Sequence, residues 1–302
     1  MYELKEIIDF SLKYQQPDTV IYALDFLSFT SGRETNFDFD SSLFSSEWNI
    51  VPAFARYLLS FDSLKRSLDT VLENRKGGNP VGSNEMNNCD GARVVFELSN
   101  QREMFEAGLG KMYERGGVYN CYAYSEDRLE RFRSTLVDLL KSGASVALYI
   151  TPVHAYQILG IEFAGLLPTY NQWRKDVSDI VRELRNDPVL GDRLIAAWDF
   201  SPPLGVNTEP VPSLPDELMA GYFDAGHCTH WIGTKVIDSL MGNRLVDDQL
   251  QGYELGIPTS AANFSLLNEQ LDRYKEKHPE AVIEVNRIYE KYKPKAACFV
   301  SQ

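Results

Sequence analysis

Three short apolar runs constrain the fold of this chain more than any other feature. They are TVIYALDFLSF at 19–29, SVALYIT at 145–151 and LIAAWDFS at 194–201. Each is rich in β-branched and aromatic residues and nearly continuous rather than alternating. Such runs suit strands buried on both faces, the pattern of a parallel sheet. The segments around them carry helical periodicity. Residues 1–15 place Leu4, Ile7, Ile8 and Leu12 on one face, and Pro17 and Asp18 end that helix. One or two helices are expected over 52–75, then helices at 101–115, 125–142 behind a Ser125 cap, 155–164, 168–186, 263–276 and 279–292. In the 168–186 helix Trp173 should pack inward, with Arg174 and Lys175 exposed.

Strands alternating with long helices predict an α/β fold with a mostly parallel sheet. The reading is one domain over 1–302, with a helical insertion at about 52–142 and a helical C-terminal extension at about 252–302. Three strands are few for so many helices. Either a strand lies in the Gly/Asn-rich 77–100 region or one is absent from this sequence.

Charge narrows the partners. The net charge is −13, and an acidic chain lacks the clustered Lys and Arg that phosphate backbones need. It is equally unsuited to a polybasic membrane patch. No signal peptide and no apolar run long enough to span a bilayer is present, so as written the chain reads as cytoplasmic. Cys89, Cys121, Cys228 and Cys298 show no C-x-x-C spacing, which argues against a zinc site. Neither a metal nor an organic cofactor is expected.

Chemistry-bearing residues sit where the apolar runs stop. Asp25 interrupts the first run and is either a capping residue or a site carboxylate at a strand end. His154 follows the second run and is either a site residue or a loop histidine bonded to backbone. Asp199 closes the third. The sharpest pair is Asp224 and His227, three apart on a turn that a short helix at 216–221 should lead into. Beyond it Thr229 can cap a helix carrying Trp231, Ile232, Val236, Ile237 and Leu240. A carboxylate so placed can fix a histidine's tautomer and raise its basicity, the orienting logic of a Ser-His-Asp triad. Cys228, next to the histidine, reads as a small buried residue rather than a nucleophile. Ser83, in Val-Gly-Ser-Asn, reads as a loop serine.

Taken together, the segments resemble the SGNH (GDSL-like) hydrolases, in particular a branch of bacterial extracytoplasmic proteins related to the alginate O-acetylation proteins. The matching pieces are VIYALDFLSF at 20–29, YITPVHAYQ at 149–157, GLLPTYNQWRKDV at 165–177, AAWDFS at 196–201, YFDAGHCTHWIGTKVID at 222–238 and GYELGIPTSAANFSLLNEQL at 252–271. The Asp-x-x-His block followed by a helix with Gly233 is the most specific. The resemblance implies a flavodoxin-like three-layer α/β/α fold. It makes His227 the general base and Asp224 its partner, and puts Asp25 at the place of the family's third block; His154 and Asp199, from their own places at strand ends, join Asp25 as oxyanion or site-lining candidates. The family has Gly-x-Asn where this chain has Ala23-Leu24-Asp25, and an ionised carboxylate cannot donate to an oxyanion. The family's first strand and nucleophilic serine would precede Met1, which would account for the strand deficit and place the protein outside the cytoplasm.

Three functions compete at this stage. The first is an esterase or O-acyltransferase acting on a carbohydrate or lipid ester. The second is a non-catalytic scaffold of the same descent that binds glycan or protein in envelope or polysaccharide assembly. The third is metal-dependent hydrolysis by Asp25, Asp199, Asp224, His154 and His227.

Overall fold

A computed structural model describes residues 2–31, 67, 100–214, 217–242, 249–257 and 260–294. In chain order these form α1 (Tyr2–Tyr14), β1 (Thr19–Leu24), α2 (Gln101–Tyr113), α3 (Glu126–Lys141), β2 (Ser145–Ile150), α4 (Ala155–Phe163), α5 (Leu167–Arg185), β3 (Leu194–Asp199), α6 (His230–Leu240), β4 (Tyr253–Glu254), α7 (Ser260–Lys277) and α8 (Pro279–Tyr292). Among the described residues that is eight α-helices and a four-stranded sheet of order β1-β2-β3-β4, with the first three strands parallel and β4 antiparallel. The α/β class read from the sequence is therefore present.

The register sets up the rim. Leu24 pairs with Ile150, and Ile150 pairs with Asp199. The three parallel strands therefore end in one row, and the residues that follow them emerge side by side at the carboxyl edge, where open α/β sheets place ligands. Beneath that edge Tyr22, Leu24, Phe29, Phe132, Leu136, Leu148 and Trp173 form one buried cluster. Phe132 of α3 lies 5.9 Å from both the Tyr22 and Phe29 rings, and Trp173 of α5 lies 5.4 Å from Phe29. Ser125 caps α3 by accepting the Arg128 N–H, as its sequence position suggested.

Several expectations are corrected. The 19–29 run is a strand only to Leu24. Phe26–Phe29 form a 3-10 turn, because the Asp25 carboxylate accepts the Leu27 N–H at 3.0 Å and caps it. Nor is β1 buried on both faces. Tyr22 and Leu24 point inward, while Thr19, Ile21 and Ala23 point outward, and Ile21 is 42% exposed. The C-terminal extension is not wholly helical, since Tyr253–Glu254 pairs with β3. Residues 217–221 are not helical either. The N–H groups of Met219, Ala220 and Gly221 go to the Gln101 and Glu209 side chains, which replace helical bonds. On α6, Ile232, Val236 and Leu240 are buried as expected, but Ile237 is largely exposed.

Arg174 is the clearest departure. Expected at the surface, it is fully buried. Its Nε donates to Asp199 Oδ2 at 2.6 Å, and Nη2 lies 2.6 Å from the same oxygen. Lys175 next to it is exposed. Of the expected helices at 52–75 only Ser67 is described, and it is helical; the remainder, the 77–92 loop and Ser83 lie outside the described residues. No helix among the described residues is long and apolar enough to cross a membrane.

Candidate active site

Residues 221–229 form a tight loop at the sheet's carboxyl edge. Tyr222 and Cys228 make an antiparallel bridge, Phe223 N–H donates to the His227 carbonyl at 2.9 Å, and Thr229 N–H donates to Gly221. Neighbours fix its position. The Gln101 amide of α2 accepts from Met219 N–H at 2.6 Å and donates to the Tyr222 carbonyl at 2.9 Å. Tyr222 donates its hydroxyl to Asn207, whose own amide donates to the Phe200 and Pro202 carbonyls. The His154 N–H donates to the Ala225 carbonyl at 3.0 Å, which ties the loop tip to the start of α4. Thr229 is the N-cap residue of α6, but its hydroxyl donates to the Ala220 carbonyl instead of bonding the helix.

Inside this loop Asp224 and His227 meet. His227 Nδ1 lies 2.8 Å from Asp224 Oδ2 and 2.9 Å from Oδ1. Asp224 Oδ1 also accepts the N–H groups of Gly226 and His227, at 2.8 and 2.9 Å. The carboxylate is thus oriented by backbone and presents its face to the ring. Opposite a carboxylate, Nδ1 carries the proton, so in the neutral ring Nε2 holds the lone pair. The His227 side chain is 77% exposed, so that nitrogen is open to an incoming group. The Asp224 hydrogen bond raises the histidine's pKa above its ordinary value, partial burial opposes this, and the charges of Asp224 and Asp25 add to the rise. The arrangement can accept a proton from a nucleophile and hold the resulting imidazolium.

The other candidates differ in kind. Asp25 stands at the carboxyl end of β1, caps the 3-10 turn and lines a small pocket with Thr151 and Gln157. It is a capping residue, one of the two alternatives open for it in the sequence, and its charge adds to the rise in the His227 pKa. His154 is completely buried as the N-cap residue of α4. Its Nδ1 accepts the Tyr156 N–H at 3.2 Å, and its Nε2 lies 2.7 Å from the Glu209 carbonyl. Both ring nitrogens are bound to backbone, and burial lowers its pKa to about 4. Asp199 is buried against Arg174 and accepts from the Ser201 hydroxyl and N–H. Both are buried, and their hydrogen bonds tie the sheet edge to its neighbours. Cys228 is a free thiol whose pKa is raised by burial, the wrong direction for a nucleophile.

No three His, Cys, Asp or Glu side chains among the described residues are grouped to hold a metal ion, so the five-residue metal cluster is not assembled there. Trp173, read as packing inward, is fully buried, while Gln101, Gln157 and Tyr170 were missed by the sequence reading. Nothing local marks them, since their roles come from contacts far along the chain. Comparison with protein-family models, with curated proteins and with solved structures finds no match to this chain.

Proposed function

We propose that this chain carries the base half of an SGNH-type serine esterase or O-acyltransferase acting on a carbohydrate or lipid ester, within a three-layer α/β/α domain. The observation that carries the reading is the Asp224–His227 pair, with Nδ1 held by a backbone-oriented carboxylate and Nε2 open at the sheet's carboxyl edge. A serine outside the described residues attacks the ester carbonyl while His227 Nε2 takes its proton and Asp224 stabilises the imidazolium. Collapse of the tetrahedral intermediate expels the alcohol, which receives that proton. Water, or an acceptor hydroxyl, then attacks the acyl-serine while His227 accepts its proton, and that proton passes to the serine oxygen as the acyl–serine bond breaks and the acid or new ester leaves.

Acetyl-ester hydrolysis by the protein, compared with its His227→Ala variant, tests this. General-base catalysis supplies about 10²–10⁴-fold, so the variant should lose at least about 100-fold. Turnover unaffected by His227→Ala, or no turnover and no acyl transfer at all, would count against it.

One observation favours the scaffold reading. Among the described residues no serine, threonine or cysteine side chain hydrogen-bonds His227. A glycan-binding protein would retain the loop without a nucleophile. It would bind oligosaccharide without turning over any ester.

A further inference from the structure

We propose that the side-chain oxygen of Gln157 is a hydroxyl-binding position beside the dyad, so that the ligand class the site takes is a polyhydroxylated sugar rather than a lipid. Gln157 lies on the first turn of α4, which starts just past the end of β2. The reading of the bound sugar as part of the reacting ester rests on the proposed function; the binding itself does not.

Three observations carry this. First, the carboxamide is buried and held at one end. Gln157 is 8% exposed, and its Nε2 donates to the hydroxyl of Tyr119, itself buried. Second, the other end is unfilled. Oε1 makes no hydrogen bond among the described residues. A buried polar group left unpaired is costly, and such groups nearly always find a partner. Third, the open end faces the dyad loop. A β-carbon built on Gly226 would lie 3.9 Å from Gln157 Oε1 and 3.8 Å from Asp224 Oδ1. Gly226 is exposed and precedes His227. Its bare α-carbon therefore leaves a notch, open to the surface, between these two oxygens.

The notch sorts ligands by chemistry. Asp224 Oδ1 already accepts the Gly226 and His227 N–H groups and faces His227 Nδ1. Gln157 Oε1 is thus the acceptor left for a ligand donor. A hydroxyl supplies that donor and is neutral. An ester carbonyl or an acyl chain has no proton to give, and covering Oε1 with either would leave it unpaired. A carboxylate has no donor either, and the Asp224 charge repels it. A sugar ester carries hydroxyls next to its acylated oxygen, whereas a fully acylated glycerolipid carries none there.

The test is an NMR titration of the whole chain with methyl glucoside and, in parallel, with 2-methoxytetrahydropyran, the same ring without its hydroxyls. The signals followed are the Gly226 amide and the Gln157 side-chain amide. No turnover is needed, so a failure of ester chemistry leaves this result standing. Methyl glucoside should shift both signals and bind at least about tenfold tighter than the deoxy ring, since a site built for a hydrogen-bonding group rejects the analogue lacking it. Gly226→Ala puts a methyl group into the notch at ordinary contact distances, on a backbone without positive φ. It should weaken methyl glucoside binding at least about tenfold while the His227 titration midpoint stays in place. Gln157→Leu should weaken binding about tenfold as well. If Gln157→Leu loses its fold because Tyr119 is left unpaired, Gly226→Ala decides. Equal affinity for the two rings, no shift with either, or unchanged affinity in Gly226→Ala would overturn the proposal.

Discussion

His227 Nδ1 lies 2.8 Å from Asp224 Oδ2, and the same carboxylate accepts the backbone N–H of His227 itself. The histidine is held twice by one side chain, through its ring and through its main chain. The dyad is therefore built within four residues, and its geometry depends on how the loop that bears it is anchored.

The charge state of His227 follows from this contact. Its pKa is raised above the ordinary value of about 6.5, first by the Asp224 hydrogen bond. Activity that needs the free base should rise with pH through that raised value. Asp224→Asn should move the midpoint downward, as read by NMR titration of the ring and by the acid limb of kcat/KM. Stability from the pair is present below about pH 6.5 and is lost as pH rises through the folded value. With an exposed ring it should be small. An unmoved midpoint in Asp224→Asn would contradict the assignment.

His154 predicts the opposite dependence. Burial lowers its pKa to about 4, against a weaker upward effect from the Glu209 carbonyl. Between about pH 6.5 and 4 the unfolded chain binds a proton that the folded chain refuses, so stability falls as pH falls. The full window amounts to roughly 3 kcal/mol. Denaturant titrations across it should show a slope of about one proton, and His154→Leu should remove that proton's share. His154→Leu should also cost about 1–3 kcal/mol at pH 7, because the Glu209 carbonyl and Tyr156 N–H lose their partner.

The Arg174–Asp199 pair is buried on both sides. Removing one member leaves an uncompensated charge, so Asp199→Ala or Arg174→Met should each destabilise by about 3–5 kcal/mol. The double variant Arg174→Met with Asp199→Leu should lose less than the sum of the two single changes. Additive losses in urea denaturation would show that the contact carries no coupling.

Gln101 tests the anchoring of the dyad loop. It is buried and bonds Met219 N–H and the Tyr222 carbonyl. Gln101→Leu should cost about 1–3 kcal/mol and speed hydrogen exchange at Met219. Activity should fall without a shift in the His227 midpoint. Unchanged exchange at that amide would mean the loop is held elsewhere.

The sequence made the parallel strands and most helix limits legible because their signals are local. Apolar β-rich runs mark β1, β2 and β3, and Ser125 marks the start of α3. The Asp224–His227 contact was legible for the same reason, since three residues and a turn suffice to close it. Arg174 was not, because its partner Asp199 is 25 residues away and on a different element. An arginine on a helix reads as solvent-facing until a buried carboxylate is placed opposite it. Residues 217–221 were misread as helix because the groups that take their N–H bonds, Gln101 and Glu209, are contributed from outside the segment. Asp25 showed its charge in sequence, but its cap and its pocket appear only once β1 and β2 end in register.

The central claim is that His227 activates a serine. Labelling of the protein with a fluorophosphonate, followed by intact-mass and peptide mapping, tests this most directly. The account predicts one adduct on one serine, with labelling slowed at least about 100-fold in His227→Ala. No adduct, or an adduct that forms as fast without His227, would contradict it and leave the glycan-binding scaffold as the better reading.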